Sequence, residues 1–254
     1  MRKILIVGIG PGNPDYVTVQ AINALNRADV FFIPDKGAEK DALARLRLEI
    51  CARYVKDRDY RLAGFAMPER VRDPADYGMT VRDWHARIEA SYETLLGEEL
   101  GDGECGAFLV WGDPTLYDST LRIVETIRAK GKLAFDYEVI PGISSVQVLA
   151  ARHRIPLNRI GEAVHITTGR KLREGFPGNA DSVVVMLDGE QSFKTIEDGG
   201  IDIYWGAYVG TPDEILLSGR LPDVAGDIEA VRAAARRDKG WIMDTYLLRK
   251  SGEK

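Results

Sequence analysis

Residues 4–33 contain two short apolar runs separated by a stretch with helical spacing. Residues 4–8 form a continuous apolar run that stops at a glycine, and residues 30–33 form a second run that is closed by Pro34. Between them, apolar residues recur at helical intervals from Val19 to Ala28, and Thr18 is a candidate N-cap. Strand, helix and strand within so short a segment predict a βαβ unit, and therefore a parallel sheet.

The same alternation continues to about residue 155. It predicts further strands at 107–111 and 135–140 and helices at 42–54, 83–100, 121–129 and 144–152, with an exposed polar excursion at 57–80. After about residue 160 the rhythm changes, with strands predicted at 163–167, 182–187, 203–209, 214–220 and 241–248 and helices only at 191–197 and 227–237. We therefore predict two α/β domains, a parallel-sheet domain over 1–158 and a mixed-sheet domain over 159–254.

Composition narrows the classes of function. The 34 basic and 39 acidic residues give a net charge of −5, which argues against nucleic acid as the main partner. The two cysteines, Cys51 and Cys105, belong to no CxxC or Cys/His cluster, so no metal site is predicted. No segment approaches the roughly 20 apolar residues that span a bilayer. We expect a soluble, cytoplasmic protein.

Three predicted strands of the first half end in small loops rich in glycine and proline. These loops are residues 8–12 (GIGPG), 112–114 (GDP) and 141–145 (PGISS). In an open α/β sheet, ligands bind outside the carboxyl ends of the strands. Glycine also allows a ligand to approach the main chain closely. Together the three loops predict the floor of a ligand site, although each of them alone is a tight turn by default.

The first loop is poorly suited to a dinucleotide. Its glycines stand at positions 8, 10 and 12, whereas G-x-G-x-x-G requires a glycine at position 13, which is Asn13. Pro11 and Pro14 delay the helix, and a pyrophosphate needs a helix that begins at the loop. A nicotinamide oxidoreductase, with Asp35 as the ribose-binding acid, is therefore a weaker alternative.

Asp113 directly follows a predicted buried strand, a position where carboxylates are often functional. The alternative role for Asp113 is an Asx turn that caps the next helix. Tyr117 and Asp118 follow in what is predicted to be the first turn of that helix. We expect them to face the same cleft.

The chain resembles the tetrapyrrole (corrin/porphyrin) methylase family over nearly its whole length, and these loops, in this order, carry the resemblance. Residues 8–18 match the family pattern G-x-G-P-G-[DN]-P-x-x-[LV]-T, residues 112–117 match G-D-P-x-x-Y, and residues 141–145 match P-G-[IV]-[ST]-[SA]. Further matches are residues 167–170 (TTGR) and 210–214 (GTPDE). Any one motif alone would be weak evidence, but their shared order makes the resemblance strong.

The resemblance implies two α/β domains that bind S-adenosylmethionine in a cleft between them, and a homodimer. The residues that it implies for the cofactor are Pro11, Gly112, Asp113 and Leu116, with Ser144 and Ser145 near the methionine end, Met186 or Leu187 on the adenine, and Ala207 close by. A sulfonium cofactor carries no phosphate, so the first loop needs no helix dipole behind it.

Within the family, residues 111–119, 186–189 and 206–212 resemble the branch that methylates C-1 of precorrin-5 and releases acetate in cobalamin biosynthesis. Loss of the acetyl group calls for a base, and the candidates are Tyr117, Asp118 and His165. A substrate with many carboxylates needs local positive charge. The candidates that supply it are Lys36 and Arg170, of which Arg170 is expected to end a strand. Asp35, at the end of the second predicted strand, is a further candidate for binding this tetrapyrrole.

Other functions stay open from the sequence. Within the family they are a methyltransferase acting on another precorrin carbon and a diphthine synthase-like methylase. Outside enzyme chemistry, a non-catalytic sensor that binds S-adenosylmethionine is the alternative.

Overall fold

A computed structural model describes residues 1–35, 41–68 and 77–251. The chain divides into two compact units, Met1–Ile143 and Ser144–Lys254. Lys36, one of the residues expected to bind substrate, lies outside the described residues.

The first unit is built on a five-stranded sheet. Its strands are β1 (Arg2–Gly8), β2 (Val30–Asp35), β3 (Arg61–Ala66), β4 (Cys105–Val110) and β5 (Phe135–Ile140), in the order β3-β2-β4-β1-β5. Every pairing in this sheet is parallel, as predicted. Its helices are α1 (Val19–Leu25), α2 (Asp41–Tyr54), α3 (Tyr77–Glu99) and α4 (Thr120–Lys130). The Thr18 hydroxyl accepts the N–H of Ala21, which confirms the predicted N-cap of α1.

Helices cover both faces of this sheet. One apolar cluster joins α1 and α2 to the sheet through Leu25 and Ile50, and a second joins α3 and α4 through Ile88 and Val124. Strands buried on both sides read as continuous apolar runs, which is why residues 4–7 show no alternation. The segments after β1 and β4 lead to helices on opposite faces, so a crevice opens between these neighbouring strands at their carboxyl ends.

Strand β3 lies within the segment 57–80, for which the sequence predicted only an exposed excursion. Because β3 is an edge strand and mostly exposed, its alternation is weak. Arg61 binds the Glu104 carboxylate through both of its terminal nitrogens, at 2.9 Å each, which ties β3 to the start of β4. Helix α3 also begins earlier than predicted, at Tyr77.

The second unit contains a mixed sheet, as predicted. Its strands are β6 (Val164–Thr168), β7 (Ser182–Met186), β8 (Ile201–Ala207), β9 (Ile215–Arg220) and β10 (Asp244–Lys250), in the order β6-β7-β10-β8-β9. Only β6 and β7 pair in parallel. Its helices are α5 (Ser145–His153), α6 (Gly169–Leu172) and α7 (Leu221–Lys239).

Two features of the second unit differ from the sequence-based expectation. Helix α5 packs on β8, β9 and β10, so the division between the units falls before this helix, whereas the expected boundary follows residue 158. The helix predicted at 191–197 is a single 3-10 turn, Ser192–Thr195. Its flanking residues, Gln191 and Ile196, have left-handed and extended backbones, which prevent a longer helix.

Candidate functional site

The loops after β4, β1 and β5 lie side by side, because these three strands are neighbours in the sheet. The loops after β1 and β4 are joined by two backbone hydrogen bonds. The Gly112 N–H donates to the Gly10 carbonyl at 2.9 Å, and the Gly10 N–H donates to the Gly112 carbonyl at 3.3 Å. Two of the three loops predicted to form a pocket floor are thus in direct contact.

Glycine is required where the third loop meets the other two. A Cβ atom on Gly142 would lie 2.2 Å from the Gly112 carbonyl oxygen, and a Cβ on Gly8 would lie 2.6 Å from the Gly142 nitrogen. Such distances are far inside van der Waals contact, and the atoms approached belong to the backbone. Close packing of main chain on main chain therefore explains the glycines at positions 8 and 142.

Asp113 connects the loops after β4 and β5. Its Oδ2 accepts the Gly142 N–H at 2.8 Å, and its Oδ1 accepts the Thr115 N–H at 2.8 Å and the Thr115 hydroxyl. Burial raises the pKa of the Asp113 carboxyl, but these hydrogen bonds outweigh it, so the pKa lies below its ordinary value. Asp113 is therefore a fixed, negatively charged group at the carboxyl edge of the sheet, besides forming the Asx turn with Thr115.

The first loop is not followed directly by a helix. A short 3-10 turn at Pro14–Tyr16 comes first, and α1 begins only at Val19. Pro11 is buried beside this turn. The loop therefore lacks the adjoining helix N-terminus that a dinucleotide pyrophosphate uses.

Tyr117 and Asp118 precede α4, whereas the sequence predicted them in its first turn. Asp118 Oδ1 accepts the Thr120 N–H at 2.7 Å, so its carboxylate caps the helix. Tyr117 is 45% exposed and has a φ of 53°, in the left-handed region. Leu116 is half-buried, and its N–H donates to the Asp113 carbonyl at 3.2 Å. Leu116 and Tyr117 therefore belong to the loop that Asp113 organises.

Arg47 of α2 is a buried charge near the carboxyl edge of the first sheet. It was not among the residues predicted from the sequence. The paired register of β2 and β4 ends at Phe32 and Phe108, and beyond it Arg47 Nε donates to the Leu109 carbonyl at 2.9 Å. Its Nη1 donates to the Leu43 carbonyl at 2.8 Å, and the side chain is only 5% exposed. Burial lowers the pKa of Arg47. Asp35, at the end of β2, is exposed.

In the second unit, the predicted cofactor residues Ser144 and Ser145 begin α5. Ser144 is its N-cap, and the Ser144 hydroxyl accepts the Val146 N–H at 3.2 Å. The Gln147 side chain reaches back to the Ser144 N–H at 3.1 Å, which completes a capping box. The capping box therefore explains the presence of serine at position 144 without reference to a ligand.

Met186 is the last residue of β7, and Leu187 and Asp188 follow it. Leu187 is 66% exposed and has a φ of 54°, whereas Asp188 is buried. Ala207, at the end of β8, is fully buried. The Asp188 carboxylate was not singled out from the sequence, although the motif 186–189 contains it.

His165 and Arg170 are both exposed. His165 lies on β6, but Arg170 lies within α6 and not at the end of a strand as predicted, because the chain turns into a helix at Gly169. Its basic neighbours Lys171 and Arg173 are held by Glu174 and Glu190, respectively.

Residues 1–35, 41–68 and 77–251 contain no cluster of three or more His, Cys, Asp and Glu side chains with the arrangement of a metal site. The same residues contain no helix with the length and hydropathy needed to traverse a bilayer.

Comparison with known proteins identifies relatives over the whole chain. The family model of the Tetrapyrrole (Corrin/Porphyrin) Methylases matches residues 3–225. The chain is 60% identical to a precorrin-6A synthase [deacetylating] from Sinorhizobium sp., over 100% of this chain and 97% of that protein. It is 39% identical, with a TM-score of 0.84, to a cobalamin synthesis related protein (CobF) from Corynebacterium diphtheriae, covering 99% of this chain and 100% of the other.

A more distant structure shares the fold alone. It is a uroporphyrin-III C-methyl transferase from Thermus thermophilus, complexed with S-adenosyl homocysteine. The identity is 16% and the TM-score is 0.60, covering 99% of this chain and 96% of that one.

Proposed function

The chain belongs to the tetrapyrrole (corrin/porphyrin) methylases, and from this membership we propose that it is an S-adenosylmethionine-dependent C-methyltransferase of cobalamin biosynthesis. We propose further that it methylates C-1 of precorrin-5 with release of acetate. The 60% identity to a precorrin-6A synthase [deacetylating] along the full chain supports this reaction.

One observation in the first unit carries the proposed cofactor site. Asp113 is held by the Gly142 N–H and by Thr115 at the carboxyl ends of three neighbouring strands. Its lowered pKa keeps the carboxylate ionised at neutral pH. An ionised, partly exposed carboxylate among glycine loops suits a ligand with an ammonium and a sulfonium group.

The second unit, described by itself, offers features that suit a purine nucleoside. The exposed Leu187 side chain provides an apolar surface for a purine ring. The Gln191 Oε1 atom is buried, and it has no hydrogen-bond partner among the residues that the structure describes. A bound ligand is one explanation for a polar atom in this state. We propose Met186, Leu187 and Ala207 as adenine contacts and Ser144 and Ser145 as contacts of the methionine end.

The proposed reaction asks for orientation and for a base. When bound, S-adenosylmethionine would supply a methyl group to the ring carbon, and the electron pair of its carbon–sulfur bond would stay on sulfur. The residues around Asp113 contribute by orientation, which can supply most of the rate. In the deacetylation, attack of water on the acetyl carbonyl breaks the bond from the acetyl carbon to the ring, leaves the electron pair of that bond on the tetrapyrrole, and releases acetate and two protons. A base that takes a proton from this water accelerates the step about 10²–10⁴-fold.

We propose that Tyr117 orients the water that attacks the acetyl group, because it is exposed in the loop that Asp113 organises. Burial raises the pKa of Tyr117, so the phenol stays protonated at neutral pH and would hold this water through a hydrogen bond without taking its proton. Asp118, whose Oδ1 already accepts the Thr120 N–H, and His165 remain the candidates for the base itself. Arg170 and Asp35 are proposed to bind the substrate, and a homodimer in the cytoplasm is the proposed working form.

The test is turnover with defined substrates. We expect incubation with S-adenosylmethionine and precorrin-5 to give a product that has gained a methyl group and lost an acetyl group, together with free acetate. Methylation without acetate would contradict the precorrin-6A synthase reaction but agree with a methylase of another precorrin carbon. Binding of S-adenosylmethionine without turnover on any precorrin would favour the sensor. Light scattering would test the homodimer.

A further inference from the structure

The turn that follows β7 holds an apolar side chain outward in a strained conformation. Leu187 has a φ of 54° and is 66% exposed, and Gln191 at the other end of the turn has a φ of 57°. Residues other than glycine rarely adopt this left-handed region. They persist in it only where the surrounding structure leaves no alternative, and such positions cluster at ligand sites.

The carboxylate of Asp188, in the same turn, is buried and fully hydrogen-bonded. Asp188 is 5% exposed, and its Oδ2 accepts the Tyr246 hydroxyl and the Ser192 N–H, each at 2.6 Å. Its Oδ1 accepts the Ser192 hydroxyl at 2.9 Å and the Glu190 N–H at 3.1 Å. Four donors thus fill the acceptor positions of one buried carboxylate, and two of them are backbone N–H groups, that of Glu190 within the turn and that of Ser192 directly after it.

The main chain of Asp188 is held as firmly as its side chain. Arg232 Nη2 donates to the Asp188 carbonyl at 3.1 Å, while Arg232 Nε donates to Asp244 at 2.9 Å. Asp244 in turn accepts the indole N–H of Trp205 at 3.0 Å, and Trp205 is fully buried. A chain of buried polar contacts therefore connects the turn to the centre of the sheet.

Asp188 also occupies the space beside the end of β6. A Cβ atom on Gly169, the first residue of α6, would lie 2.2 Å from Asp188 Oδ1. Thr168 and Met186 are paired in the register of β6 and β7, so the carboxylate lies where the two parallel strands end. The glycine of the motif 167–170 is explained by the need to admit this carboxylate.

We propose that Asp188 is a positioning residue, whose carboxylate fixes the turn 187–191 so that Leu187 stands as a rigid apolar platform for the purine of the cofactor. This inference rests on the proposed function, because the purine is that of S-adenosylmethionine. Exposure of an apolar side chain to water is unfavourable, and the flat face of a purine ring packed on Leu187 would remove its apolar surface from solvent. The same turn also holds the buried Gln191 Oε1, which has no hydrogen-bond partner in the described part of the chain.

The experiment measures binding of S-adenosylhomocysteine by calorimetry to the full chain and to three variants. In Asp188→Asn one acceptor oxygen becomes a donor, and we expect the dissociation constant to rise about tenfold. We expect KM for S-adenosylmethionine to rise in parallel. We expect kcat at saturation and KM for the tetrapyrrole to stay within about twofold of the parent, because the lost contacts bind the cofactor equally in the ground state and the transition state.

The matched control is Asp181→Asn. Asp181 is also buried and accepts hydrogen bonds from Arg159 and Ser182, but it directly precedes β7, at the opposite end of that strand. We expect this variant to lose thermal stability as Asp188→Asn does, while its affinity for S-adenosylhomocysteine stays within about twofold of the parent. An equal loss of affinity in both variants would overturn the proposal.

Leu187→Gly separates binding from folding. Glycine adopts positive φ without strain and the leucine is exposed, so we expect an unchanged or higher melting temperature together with about tenfold weaker binding. If the parent protein binds S-adenosylhomocysteine and either Asp188→Asn or Leu187→Gly binds it equally well, the platform is wrong and the proposed function stands. If the parent protein itself shows no binding, the proposed function fails and this inference fails with it.

Discussion

The Gly142 N–H donates to Asp113 Oδ2 at 2.8 Å, and the bond joins the ends of two strands that are not neighbours. Asp113 follows β4 and Gly142 follows β5, while β1 lies between them and ends at Gly8. The bond therefore passes over Gly8, whose missing side chain leaves room for it. One carboxylate thereby joins the ends of β4 and β5, while the backbone hydrogen bonds between Gly10 and Gly112 join the loops after β1 and β4.

We expect Gly8→Ala to lower the free energy of unfolding by about 1–3 kcal/mol, since its Cβ would lie 2.6 Å from the Gly142 nitrogen and the backbone would have to shift. Urea denaturation measures this change. The control is Gly97→Ala on α3, where a Cβ meets no atom within 4 Å. Alanine there should raise stability by about 0.5–1 kcal/mol. Equal effects at both positions would contradict the packing argument.

Asp113→Asn should reveal a pH-dependent contribution to stability. The folded-state pKa of Asp113 is below its ordinary value, so its carboxylate stabilises the fold above about pH 3.9 and loses this effect as the pH falls through the lowered pKa. The melting temperature of the parent should exceed that of Asp113→Asn at pH 7, and the gap should close in acid. A gap that stays constant down to about pH 2 would contradict the assigned shift.

Two substitutions of Ser144 distinguish a capping role from a cofactor contact. Ser144→Ala removes the acceptor for the Val146 N–H and should cost about 1 kcal/mol of unfolding free energy. Ser144→Asp supplies a cap of similar quality, so stability should return. If Ser144 also contacts the methionine end of the cofactor, affinity for S-adenosylhomocysteine should stay reduced in Ser144→Asp. Full recovery of affinity would leave the serine with a capping role alone.

We expect Arg47→Met to lower the free energy of unfolding more than substitution of an exposed arginine on the same helix does. It leaves the buried Leu109 carbonyl without its donor, at a cost of about 1–3 kcal/mol. Arg53→Met on the same helix removes an exposed ion pair with Asp15 and a contact with the Tyr54 ring, which should change stability by less than about 1 kcal/mol. Chemical denaturation of both variants makes the comparison, and similar losses would show that Arg47 does not secure the end of β4.

The first sheet and its loops were predictable because their physical signals are local. Buried parallel strands read as apolar runs, and the runs before the three glycine- and proline-containing loops stop at glycine or proline. The position of Asp113 directly after such a run indicated a group at the sheet edge, and its hydrogen bond to Gly142 bears this out. Periodicity and turn chemistry were sufficient for these features.

Features that depend on partners distant in sequence were not predictable. Strand β3 is stabilised by pairing with β2 and by the bond from Arg61 to Glu104, and its own residues give little alternation. Helix α5 joins the second unit because of the strands it packs against, all of which come later in the chain. The donors to Asp188 include Tyr246, so no local pattern could reveal that its carboxylate is buried.

Strand β10 comes last of the five strands of its sheet, yet it lies in the middle, bonded to β7 on one side and β8 on the other. During synthesis, β6 with β7 and β8 with β9 therefore remain two separate ribbons until residue 250 has left the ribosome. The apolar edge of β7, residues 183–185, stays unpaired throughout that time. The second unit can therefore complete its sheet only after β10 has been synthesised, and the interval before β10 arrives is when the nascent chain most needs protection from aggregation.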